Sequence, residues 1–144
     1  MQVPMSESML LQAAGRFHGH VGPFLAIGLR MGLLANEKLG RDPMGTTARV
    51  AVEPKPPRSC LVDGVQFTTG CTLGKGNIQM VPEGDVISAT FAKGAAALNI
   101  NVRKDFVKRM ERDLDGAAEK AVIDYAFRIM DTPADEIFEV SGGG

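Results

Sequence analysis

Both histidines of the chain fall two residues apart, His18-Gly19-His20, and its two cysteines are Cys60 and Cys71. Neutral imidazoles and thiolates are ligands that zinc, nickel and iron share. Two of each is a full tetrahedral inventory for zinc. On a helix, side chains two apart diverge, but a loop with glycine between them lets them converge. The spacing is not that of a zinc finger, because Cys60 and Cys71 are eleven apart and no C-x-x-C occurs. The alternative use of the same residues is structural: histidines bonding local backbone, and cysteines acting as small buried apolar groups.

Other residue types near these four could support them. Asp63 and Gln66 follow Cys60 at three-residue steps, so on a helix all three share a face, where Asp63 or Gln66 could orient a histidine. The run Gly70-Cys71-Thr72-Leu73-Gly74-Lys75-Gly76-Asn77 is not a Walker A loop: three residues separate Gly70 from Gly74, and Gly76 follows Lys75. Its amides could still face a small anionic ligand, with Lys75 as counter-charge and Asn77 at its end. Cys71, beside Lys75 in that loop, is the candidate nucleophile. No G-x-S-x-G element supports a serine hydrolase.

The elements that must carry these residues are readable in outline. Ser6 opens a first helix expected to reach about Ala14. Pro23 starts a second, ended by Gly40, whose apolar residues on nearly every side predict burial or a subunit interface. Thr46–Glu53 alternates as a strand, 54–57 is an extended proline-rich loop, and Cys60–Phe67 reads as a short helix ending before Gly70. Strands follow near Ile78–Val81, Asp85–Ala92 and Ala97–Val102, with a turn at Lys93-Gly94. Helical periodicity returns from Arg103, broken at Gly116 and Pro133, and Ile137–Val140 suits an edge strand. Helices at both ends around a run of strands predict an α+β fold with an antiparallel-type sheet.

A chain of 144 residues with 44% hydrophobic and 23% charged residues fits one globular domain. We read residues 1–140 as that domain and 141–144 as a glycine-rich cloning remnant. A formal net charge of −1 gives no electrostatic case for nucleic acid or an acidic membrane. No secretory leader is apparent at the N-terminus, and the apolar run Val21–Ala35, broken by Arg30, falls short of the roughly 20 residues that span a bilayer. Reduced cysteines in the cytoplasm are expected.

Three blocks, F-H-G-H-V-G-P at 17–23, C-L-V-D-G-V-Q at 60–66 and T-G-C-T-L-G-K-G-N at 69–77, resemble the FmdE family, associated by name with formylmethanofuran dehydrogenase. The resemblance runs from about Ser6 to Val140. It implies an α+β core, an interlocked homodimer, a site able to hold zinc or a similar divalent metal at His18, His20, Cys60 and Cys71, and an association with one-carbon, molybdenum or tungsten metabolism. The chain departs from the family's F-H-G-H-x-C-P-G pattern: Gly22 stands where the family has cysteine, and Phe24 where it has glycine. The cysteine-rich C-terminal finger of some relatives has no counterpart. Two further readings stay open: a non-catalytic module holding a small anionic ligand, and an assembly subunit with a degenerate metal site.

Overall fold

The computed structural model describes residues 5–143; of the features read above, the start of the N-terminal segment and Gly144 lie outside the described residues. Helix α1 spans Glu7–His18, with the Ser6 hydroxyl accepting from the Met9 amide at 3.2 Å as its N-cap. It therefore runs one turn past the expected stop at Ala14. Helix α2, Pro23–Leu39, has the proline start and Gly40 finish that the sequence calls for. The Lys93 ammonium donates to the Leu39 carbonyl at 2.9 Å, satisfying an end that has no helical partner.

Strand β1 (Thr46–Ala51) leads through a short 3₁₀ turn (Arg58–Cys60) into helix α3 (Leu61–Thr69) and then strand β2 (Ile78–Val81). Strands β3 (Ser88–Lys93) and β4 (Ala96–Val102) form a hairpin. Helices α4 (Lys104–Leu114), α5 (Glu119–Asp131) and α6 (Ala134–Ile137) precede strand β5 (Phe138–Gly142). The sheet order is β2-β1-β3-β4-β5. Every pairing is antiparallel except β1 with β2, which is parallel because α3 lies between them as a crossover. The fold is α+β with a mostly antiparallel sheet and helices towards both ends of the chain. Ser141 and Gly142 pair with Asn99 and Leu98, and the Gly143 amide donates to the Ala97 carbonyl at 2.8 Å, so the glycine-rich tail continues the sheet's edge as far as Gly143.

Alternation gives the sheet one apolar face. Ala48, Val50, Ala89, Phe91, Leu98 and Ile100 are buried against the helical layer, while Thr47, Arg49 and Asn101 are exposed. α2 is the central helix: Leu25, Ile27, Leu29 and Met31 have at most 1% of their surface exposed. Burying each such side chain stabilises the fold by roughly 1.5–3 kcal/mol. α3 crosses α2 at glycines. A Cβ on Gly64 would lie 2.5 Å from the Leu25 carbonyl oxygen and 2.6 Å from the Leu29 amide nitrogen, and one on Gly28 would strike the Leu61 backbone. Only glycine lets the two backbones approach this closely. Among the described residues no helix is long and apolar enough to cross a membrane.

Candidate functional site: an aspartate-bound histidine pair

The α2–α3 crossing brings the end of α1 against the outer side of α3. His18 is the last residue of α1. Gly19 ends the helix at φ 118°, a left-handed conformation that side-chain-bearing residues avoid, and its amide donates to the Gly15 carbonyl at 2.8 Å. The chain doubles back there, and the two imidazoles meet edge to face with ring centroids 5.0 Å apart. Convergence thus comes from a helix end plus a reversal, rather than from the loop expected for this segment.

Across from them stands Asp63, in the first turn of α3. Its Oδ2 lies 2.5 Å from His18 Nδ1. A carboxylate only accepts, so Nδ1 carries the hydrogen, and in the neutral ring Nε2 is the nitrogen with the lone pair. The His18 side chain is only 11% exposed, whereas His20 lies at the surface. The other Asp63 oxygen, Oδ1, accepts from Gln66 Nε2 at 3.3 Å, and Gln66 Oε1 in turn accepts from the Leu73 amide at 2.9 Å. A continuous hydrogen-bonded chain therefore joins the glycine-rich loop to the imidazole.

Cys60 and Cys71 are both free thiols in different surroundings. Cys60, at the entrance to α3, is partly buried; burial pushes its thiol up from the ordinary value, and the Asp63 carboxylate pushes the same way against an opposing backbone hydrogen bond. Nothing there activates it as a nucleophile. Cys71 is fully buried in the core, where its Sγ donates to the Thr46 carbonyl at 3.4 Å and its amide donates to Thr69 Oγ1 at 3.1 Å. Lys75 donates to the Gly70 carbonyl and to Thr72 Oγ1 at 2.9 Å, folding its charge back on its own loop. Asn77 staples that loop: Nδ2 donates to the Pro43 and Thr46 carbonyls at 2.8 and 3.0 Å, and Oδ1 accepts from the Thr72 amide at 2.9 Å.

Among the described residues no three His, Cys, Asp or Glu side chains converge as a metal site requires. His18 and His20 are two donors together, and Cys71 stands apart from them. Two converging donors fall short of the four that a closed zinc site takes from protein side chains. Gly22 bears on this pair. A Cβ there would sit 3.2 Å from His20 Cε1 and 3.4 Å from Nδ1, so a side chain at 22 would press directly on the imidazole.

Beside the hydrogen-bonded chain lies an aromatic contact, a feature not read from the sequence. Phe17 is 62% exposed and packs on Phe67 with centroids 5.9 Å apart, and Leu73 is 82% exposed. The signal is there in the spacing: Phe17 adjoins His18, and Phe67 lies four residues beyond Asp63 on α3.

An Archaeoglobus fulgidus protein named "Probable S-adenosyl-L-methionine-binding protein" is 45% identical over 71 residues, 48% of this chain and 19% of that protein. The chain thus spans about a fifth of the length of that relative. Residues 17–139, which hold His18, His20, Asp63, Gln66 and both cysteines, match the family described as "FmdE, Molybdenum formylmethanofuran dehydrogenase operon". The chain belongs to the FmdE family.

Proposed function

We propose that this FmdE-family domain presents His18 and His20 as an imidazole pair that recruits a divalent transition metal, zinc first, with nickel or iron accepted by the same donors. The observation that carries the reading is the 2.5 Å bond from His18 Nδ1 to Asp63, the arrangement that fixes the tautomer and direction of a metal-binding imidazole. When bound, such a metal would polarise a carbonyl or activate water. The protein's own part is to aim His18 Nε2, keep His20 beside it, and offer Phe17 and Phe67 as an apolar surface for the ligand. The family description, which names a molybdenum formylmethanofuran dehydrogenase operon, supports an accessory role beside that enzyme; a cytoplasmic homodimer is part of the same proposal. Elemental analysis of untagged protein tests the metal: near-stoichiometric metal, lost in His18→Ala and His20→Ala, is expected. Metal-free protein that takes up none on titration with zinc or cobalt(II) would sink the reading.

A second reading is a small-molecule-binding module without metal. The name of the Archaeoglobus relative and the exposed Phe17 ring resting on half-buried Phe67 favour it, because an aromatic surface beside polar groups suits a planar heterocycle. Calorimetric titration with S-adenosylmethionine decides it: saturable binding that Phe17→Ala weakens supports this reading, and no heat of binding removes it.

A further inference from the structure

Gln66 uses both ends of its side-chain amide. Nε2 holds the Asp63 oxygen that His18 does not use, and Oε1 holds the backbone of the loop that follows α3. The other ties of the tip stay within the loop, the Gly76 amide donating to the Thr72 and Leu73 carbonyls at 3.0 and 3.1 Å and Lys75 folding back on Gly70 and Thr72, while the Leu73 side chain is 82% exposed and has no place in the core. The rest of the loop is pinned from below by Asn77. The Leu73 amide is thus the point where the tip of the loop meets the polar chain that ends at His18.

We infer that Gln66 is a positioning residue that couples the conformation of the 70–77 loop to the aim of the His18 imidazole. The inference rests on the reading of His18 as a ligand-binding imidazole. A ligand or partner that lifts the loop breaks the Leu73–Gln66 bond, frees the Gln66 side chain to rotate, and leaves Asp63 with one restraint fewer. By linkage, occupation of His18 tightens the loop in return.

The test uses the full chain and three variants: Gln66→Met, which removes both bonds, Leu73→Pro, which removes the amide donor while keeping Gln66 and stiffens the loop backbone there, and the double variant. Cobalt(II) is the probe, followed by its absorption, and the nitrogen-15 shifts of the His18 ring are read in metal-free protein. Each single variant is expected to weaken cobalt binding roughly tenfold, the lower end for loss of an outer partner of a metal ligand. The double variant should bind as Gln66→Met does, because both changes cut one relay. Both single variants should shift the His18 ring signals. Wild-type protein that binds cobalt while Leu73→Pro changes neither affinity nor ring signals would overturn the coupling and leave the metal reading standing. Absence of cobalt binding alongside ring shifts in both variants would overturn the metal reading and leave the coupling standing. Amide exchange at Leu73 in the wild type needs no variant: protection above that of Gly74 is expected, and equal, fast exchange at both overturns the coupling.

Discussion

Gly64 of α3 faces the Leu25 carbonyl of α2 so closely that a methyl group on it would sit 2.5 Å from the oxygen. Both partners are helix backbone, so neither can rotate aside. Gly64→Ala must push the helices apart, and we expect it to cost about 3 kcal/mol, the upper part of the usual overpacking range. Urea denaturation checks this; a loss under about 0.5 kcal/mol, the scatter of neutral surface changes, would show that the crossing yields. Because α3 carries Asp63, His18 should lose its bond in any variant that remains folded.

The Asn77 side chain makes three hydrogen bonds, tying the glycine-rich loop to Pro43 and to Thr46 at the start of β1. Asn77→Ala leaves the Thr72 amide and two carbonyls without this partner, at about 1–3 kcal/mol for each group that water does not reach. We expect a fall of about 2–3 kcal/mol in unfolding free energy, together with faster exchange across residues 72–77. Asn77→Asp keeps the acceptor for Thr72 and should lose less.

The Cys60 thiol is expected to titrate above an ordinary cysteine, from burial first and the Asp63 charge second. Its alkylation by iodoacetamide should therefore rise with pH later than that of a free thiol, and Asp63→Asn should move the rise to lower pH. Cys71, with no exposed surface, should stay unmodified until the protein unfolds. The sign for stability follows. Folded Cys60 holds its proton to higher pH than the unfolded chain, so its contribution is full below the ordinary thiol value and declines above it. A reactivity midpoint at or below that of free cysteine would refute the assignment.

Gly22 has extended backbone, φ −149° and ψ 166°, which any residue adopts. The cost of a side chain there falls on His20 alone, 3.2 Å from the added carbon. Gly22→Cys should restore a sulfur donor beside the imidazoles, raise cobalt affinity at least about tenfold over wild type, and add a sulfur-to-cobalt charge-transfer band. Gly22→Ala should shift the His20 ring signals without that band. Unchanged affinity in the cysteine variant would mean that position 22 does not face the metal.

Punctuation makes most of the fold legible. Pro23 and Gly40 bound α2, Gly70 ends α3, and alternation marks β1 and β4. The end of α1 is less so, because Gly15 looks like a stop and yet the helix continues; Gly15 gives room for Val21, whose Cγ2 would lie 2.5 Å from an added Cβ, and Gly19 is the true terminus. The strand expected from Asp85 begins at Ser88, since Gly84 turns the chain at φ 62°. The parallel β1–β2 pair has no local signal, because a short helix between two strands leaves open which way the chain returns. At the site, the shared face of Asp63 and Gln66 is visible in their spacing. The burial of Cys71 is not, because a glycine-rich loop gives no periodicity from which to read depth.

One row of the sheet runs Gln79, Arg49, Thr90, Asn99 and Ser141 across the strands, tied at its centre by Asn99 Nδ2 donating to Thr90 Oγ1 at 3.0 Å. These side chains line the face that carries no helices, with the buried layer between them and the histidines. The molecule therefore has a working side and a handle. A spectroscopic label or a surface tether placed at Arg49 would ride on rigid β-structure while leaving the approach to His18 clear, so events at the imidazoles could be followed from the opposite face.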